Sequence, residues 1–148
     1  MADARTVANQ FIALANEQGR DLTSMQLLKL VYIAHGYSLA VRDLALIENE
    51  IEAWKYGPVI PDLYHKIKHC GSGPVSTIRR YDVGELDEGE KELIEAVYEA
   101  YKGFDGISLS NLTHQRGTPW YSVYRNDRLS IPIPNDLIQQ HYNEIVAD

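Results

Sequence analysis

From Leu22 to Arg42 the chain is apolar with few interruptions, and between Leu27 and Val41 only Lys29, His35 and Ser38 are clearly polar. Thr23 reads as an N-cap, and Gln26 three residues later completes a capping box. Leu22 and Leu27 bracket the cap as a hydrophobic staple. A helix apolar almost all round belongs inside a fold rather than on its surface. His35, Gly36 and Ser38 interrupt the run too often for a bilayer span. At about 100° per residue, Lys29, Ile33, Gly36 and Ala40 share one face. The small residues Gly36 and Ala40 leave room on that face for a close helix neighbour. This segment is the expected central helix.

The remaining pattern supplies elements to surround it. Residues 3–18 predict a helix capped by Asp3, with Val7, Phe11, Leu14 and Ala15 on one face and Gly19 as its stop. Residues 50–56 alternate with period two, which predicts a short strand with Ile51, Ala53 and Lys55 on one face and Trp54 and Tyr56 on the other. Gly57 and Pro58 then end that strand. Pro61 opens a helix that buries Leu63, Tyr64 and Ile67. Residues 71–74 are a loop, and 75–80 read as a second strand pairing with the first. Asp87 and Glu90 begin another capped helix, with Leu93, Ile94, Val97, Tyr98 and Tyr101 inward and its end at Gly103. Ser108 opens a short helix through His114. Gly117 breaks it, and Thr118, Pro119 and Trp120 are cap, first turn and first anchor of the next. Residues 131–134 are extended. Leu137, Ile138, His141, Tyr142 and Ile145 form a last helical face. The expected fold is mainly α, a compact single domain over residues 1–148 around a buried central helix, with a small β element.

Composition narrows the function. The length of 148 residues suits one domain with a real core. A formal charge of −7 argues against nucleic acid or an anionic membrane as partner, because both call for a basic surface. Ten tyrosines suit surfaces that bind another protein. The single cysteine, Cys70, makes no internal disulfide, which fits a reducing compartment. The first residues lack the apolar core of a signal peptide, so the expected location is the cytoplasm.

Motifs for chemistry are sparse. There is no Gly-x-Ser-x-Gly elbow, no His-Glu-x-x-His and no phosphate-cradling Gly-x-x-x-x-Gly-Lys. Asp62, His65 and His69 fall near one another on a helix, next to Cys70. A solvated face explains them better than a metal, and no metal or cofactor is expected. His35 reads as a core histidine rather than a general base. Thr113 and His114 stand before a sharp turn, where capping and a Trp anchor account for the pattern. The acidic run from Asp82 to Glu99 is read as a solvated face that could also steer a basic partner. Trp54, Lys55, Tyr56, Gly57 and Pro58 form the densest aromatic patch, with Trp54 expected in the core and Lys55 as a packed stem.

Three blocks resemble the Panacea domain of the SocA-like antitoxins. They are Leu27-Leu28-Lys29-Leu30-Val31-Tyr32-x-Ala34-His35-Gly36-Tyr37-x-Leu39-Ala40, then Glu52-Ala53-Trp54-Lys55-Tyr56-Gly57-Pro58-Val59-Ile60-Pro61-x-Leu63-Tyr64, then Leu109-Ser110-x-Leu112-Thr113-His114-x-x-Gly117-x-Pro119-Trp120. They occur in the family's order, and the resemblance runs from Val7 to about Tyr142. His35 departs from the Gln most often expected there, and the chain is similar to the family's stand-alone form. The resemblance implies an antitoxin that neutralises a cognate protein toxin by binding it. A surface formed by Trp54, Lys55, Tyr56, Pro58, Tyr64, Thr113, His114 and Trp120 is the expected contact, provided its two blocks meet in space. Two other routes stay open. An enzyme could reverse the toxin's modification, with His35, His114, Lys55 and Tyr56 as acid–base groups. An adaptor could instead deliver the toxin to a cellular protease. The oligomeric state is open.

Overall fold

A computed structural model describes residues 1–147. Seven α-helices and one three-stranded sheet follow one another as α1 (Ala4–Glu17), α2 (Ser24–Arg42), β1 (Glu52–Trp54), β2 (Gly57–Val59), α3 (Pro61–Ile67), α4 (Glu88–Tyr101), α5 (Gly106–His114), α6 (Pro119–Val123), β3 (Ile131–Pro132) and α7 (Asn135–Ala147). Single turns of 3₁₀ helix lie at Lys68–Cys70 and Val83–Glu85. The fold is mainly α, as the hydrophobic periodicity predicts.

The centre is α2. Thr23 Oγ1 accepts from the Gln26 N–H at 3.3 Å, and the Gln26 side chain accepts from the Thr23 N–H at 2.9 Å, closing the capping box. Leu27, Leu30, Val31, Tyr32, Ile33 and Ala34 are all at most 1% exposed. Removing each large apolar side chain from water contributes roughly 1.5–3 kcal/mol, so this helix is the main source of core stability. Helices α1, α3, α4, α5 and α7 all pack on it. The α7 contact is the closest, because Gly36 lies against the ring of Tyr142, and a Cβ at Gly36 would come within 2.3 Å of that ring. The predicted small-residue face of α2 is therefore where α7 sits.

Three predicted boundaries change. The strand over 50–56 turns back after Trp54: Lys55 and Tyr56 form a two-residue turn, and Gly57 and Pro58 start β2 rather than ending the strand. Gly57 has φ +122°, a conformation that L side chains rarely adopt. Pro58 is tolerated because β2 is an edge strand. Lys55 and Tyr56 are therefore exposed rather than on alternating sheet faces, and it is Ile51 and Ala53, not the Trp54 face, that point fully into the core. The sheet order is β2-β1-β3, so the second neighbour of β1 is 131–132, not 75–80. Segment 75–80 stays out of the sheet because its polar groups are taken elsewhere. Asn9 on α1 accepts from the Ile78 N–H at 2.7 Å and donates to the carbonyls of Ile78 and Tyr81, and the Val75 N–H donates to Leu22. Finally, α5 starts at Gly106 rather than Ser108, because Asp105 is the cap and accepts from the Ser108 N–H at 2.8 Å.

Substituting Gly36→Ala tests the α2–α7 contact. Alanine gains roughly 1 kcal/mol of helix propensity. Overlap with a rigid aromatic ring costs typically 1–3 kcal/mol or more. The expected net result is a loss of about 1–2 kcal/mol, read as a lower urea midpoint with an unchanged slope.

Candidate functional site

The two blocks expected to form a contact surface do meet. Trp120, at the start of α6, donates its indole N–H to the backbone carbonyl of Trp54 on β1. Ser110 on α5 donates to the carbonyl of Tyr56 at 2.7 Å. These two bonds fasten the β1–β2 turn to the α5–α6 corner. The His114 ring stands edge-on to Trp120 at 5.2 Å, and its Nδ1 lies against the carbonyl of Ser110. Trp54 packs edge-on against Tyr64 of α3 at 5.0 Å and donates its indole N–H to Glu52 at 2.9 Å.

Burial divides the eight expected residues. Pro58, Thr113 and Trp120 are buried, so they support the surface from beneath. Thr113 spends its hydroxyl on the Leu109 and Ser110 carbonyls of its own helix. Trp54, Tyr64 and His114 are half-buried, and Lys55 and Tyr56 are exposed. Tyr56 is 63% exposed at the tip of the turn, with the Lys55 ammonium over its ring at 5.4 Å. Trp54 is thus half core and half surface, and Lys55 is free of the core.

Beneath the turn is a residue whose site role the residue pattern alone does not disclose. Lys29 is 3% exposed and donates to the Pro58 carbonyl at 2.8 Å. Among the described residues it enters no salt bridge. Burial without a countercharge pushes its amine down to about 7. A Cβ at Gly57 would lie 2.9 Å from Lys29 Nζ, so glycine there lets the turn seat on the amine. The signal in the sequence was one lysine in an otherwise apolar run. What it could not show was which backbone carbonyl the lysine reaches.

Other candidates lie elsewhere. His35 is 1% exposed; its Nδ1 accepts from the N–H groups of Leu46 and Ile47 at 3.2 and 3.3 Å, so its Nε2–H donates to the Asn135 side chain at 2.9 Å. Burial holds its pKa below the usual value. With both nitrogens committed inside the core, it has no access to a substrate. Asp62 accepts from Asn49, His65 rests against Tyr64, and His69 faces Cys70 at 3.6 Å, so the three are not gathered round one point. The described residues contain no group of three or more His, Cys, Asp or Glu placed to hold a metal. Of the acidic run, Glu88, Glu92, Glu95 and Glu99 are exposed on α4, while Glu90 is buried by its capping box with Asp87. No helix among the described residues is long and apolar enough to cross a membrane.

A mainly helical domain with an aromatic hairpin locked to a helix corner is the architecture in which the three sequence blocks converge. Residues 27–121 match the family described as antitoxin SocA-like, Panacea domain. Antitoxin SocA of Caulobacter vibrioides (strain NA1000 / CB15N) is 30% identical over 130 residues, covering 80% of this chain and 68% of that protein. The chain belongs to the SocA-like antitoxin family. No solved structure matches it.

The buried amine makes stability depend on pH. The folded chain releases the Lys29 proton near 7, whereas an unfolded lysine holds it to about 10.4. Between those values the unfolded state binds more protons, so stability rises with pH. Below about 7 both states are protonated and the burial penalty is at its full size. Urea titrations between pH 7.5 and 9.5 are expected to show an increase approaching about 1.4 kcal/mol per pH unit. Lys29→Met should flatten that slope; an equal slope in the variant would exclude Lys29 as its source.

Proposed function

We infer that this chain neutralises a cognate protein toxin by direct, stoichiometric binding in the cytoplasm, using the face built from the β1–β2 turn, α3 and the α5–α6 corner. The observation that carries this reading is the arrangement of aromatics. Tyr56 is exposed at a turn whose shape is fixed from behind by buried Trp120, Ser110, Pro58 and Lys29. A rigid turn presenting a tyrosine loses little side-chain freedom on binding, which favours an interface anchor. Trp54, Tyr64 and His114 surround it as partly exposed contacts. A stable complex buries on the order of 1,600 Å², so the contact extends well beyond this cluster. Family membership supports a toxin as the partner.

Catalytic reversal of a toxin's modification finds less support. Of the four acid–base candidates, His35 is sealed in the core, His114 has its Nδ1 against the Ser110 carbonyl, and Lys55 and Tyr56 are exposed side chains at the rim of a groove rather than an enclosed pair.

The test is co-expression with the product of the neighbouring gene as candidate toxin, followed by light scattering on the purified material. A complex of fixed stoichiometry is expected. Tyr56→Asp should abolish it and fail to rescue growth while keeping the wild-type melting temperature, because its side chain supports nothing beneath it. Rescue at far less than one antitoxin per toxin would instead show catalysis. A toxin whose half-life collapses without a stable complex would show delivery to a protease.

A further inference from the structure

The face just described is interrupted by a groove of about 380 Å³ between the first half of α2, the β1–β2 turn and α3. Its walls are apolar, formed by Met25, Leu28, Trp54, Val59 and Tyr64. Its charged groups are all cations. Lys29 lies at the floor, and Lys55 and Lys68 stand at the edge, with no carboxylate in the lining. This is a local reversal of sign in a protein of formal charge −7. Each edge lysine is steadied over an aromatic ring, Lys55 over Tyr56 at 5.4 Å and Lys68 over Tyr64 at 6.0 Å. Beyond Met25 and Gly71 the groove runs into a second depression beside Ile107, which is 69% exposed, and Asp105. The combined track therefore begins cationic and ends at an apolar residue next to an acid.

We propose that this groove receives an acidic segment of the toxin, with an apolar side chain inserted between Trp54, Tyr64 and Met25 and its carboxylates paired with Lys55 and Lys68. The proposal rests on the reading that this face binds a toxin, and it specifies the chemistry of what is bound. Charge complementarity chooses the occupant. A basic segment would bring like charge against Lys55 and Lys68, and a purely apolar one would cover the lysine heads without pairing them, which is costly in both cases. Lys29 adds a reserve at the floor, because its amine carries N–H groups beyond the one the Pro58 carbonyl accepts. The acidic face of α4 belongs to a different part of the surface, so attraction at a distance and pairing in the groove are separate features.

The experiment uses the full chain and the toxin co-purified with it. The double variant Lys55→Glu/Lys68→Glu is compared with Arg79→Glu/Arg80→Glu, which makes the same change in net charge on exposed residues lining a different cleft. Melting temperatures establish that both variants fold. The groove variant is expected to bind the toxin at least roughly tenfold more weakly than the control variant, because it places like charges against the incoming carboxylates. Zero-length carbodiimide cross-linking of the wild-type complex should join Lys55 or Lys68 to an Asp or Glu of the toxin, located by mass spectrometry. Equal binding by the two variants overturns the proposal, as do toxin cross-links that arise only from lysines outside the groove. A complex that forms but survives groove reversal leaves toxin binding standing and removes the groove. No complex with the wild-type chain overturns both together.

Discussion

A helix that is apolar on nearly every side has to be enclosed, and α2 imposes that requirement on the whole chain. No single neighbour covers it, so α1, α3, α4, α5 and α7 must each take one strip of its surface. The order of elements follows from how each strip is filled. The tightest strip is at Gly36, where the absence of a side chain lets the Tyr142 ring lie on the helix backbone. Tyr32 meets Tyr142 edge-to-face, Tyr37 lies tilted against the same ring, and the Tyr37 and Tyr101 hydroxyls join α2 to α4 at 2.8 Å. The buried hydroxyls of Tyr32 and Tyr98 have no hydrogen-bond partner among the described residues, so packing rather than polar satisfaction holds those rings in place.

Three polar side chains within the apolar run of α2, Lys29, His35 and Ser38, have a shared role. Each reaches out of the helix to a strand or connection beside it, and His35 also reaches Asn135 at the start of α7. Lys29 holds the β1–β2 hairpin through Pro58, His35 holds the 46–47 backbone and Asn135, and Ser38 donates to Leu44 at 2.7 Å. A connection packed against an apolar helix would otherwise bury its N–H and C=O groups unpaired, at about 1–3 kcal/mol each. These side chains supply the missing partners from within the core. The candidate site inherits its rigidity from one of them, since the tip that presents Tyr56 stands on the Lys29 amine.

Local signals made most of this fold legible. Capping boxes at Thr23 and Asp87, Pro at the first turns of α3 and α6, and the amphipathic spacing of α1, α4 and α7 are properties of neighbouring residues, and they locate the helices. The sheet was less legible because its pairing is set at a distance. Residues 75–80 have strand-like composition, yet Asn9, some seventy positions earlier, satisfies the backbone of Ile78. The hairpin was hidden by its own turn: alternation through Lys55 and Tyr56 continues a strand pattern, and only the positive φ at Gly57 shows that the chain has reversed. For the site, the blocks around Trp54 and Trp120 were visible as motifs. Their separation into exposed Tyr56 and Lys55 and buried Pro58, Thr113 and Trp120 depends on the indole-to-carbonyl bond from Trp120 to Trp54, which no local pattern encodes.

The position of His35 shows how a departure from a family pattern can preserve the underlying physics. The resemblance leads one to expect Gln there. What the fold needs at that point is one acceptor, aimed at the N–H groups of Leu46 and Ile47, and one donor, aimed at the Asn135 side chain. A neutral imidazole provides the pair on opposite edges of a ring, and a primary amide provides it as a carbonyl and an NH₂. The two differ in what protonation does to them. Gln keeps both roles at any pH, whereas a histidine that gains a proton at Nδ1 turns its acceptor into a second donor facing two N–H groups. Burial therefore favours the neutral form of His35 by the same opposition that lowers the pKa of Lys29. For His35 the neutral form is also the one that completes the backbone around it, whereas Lys29 donates to Pro58 in either state.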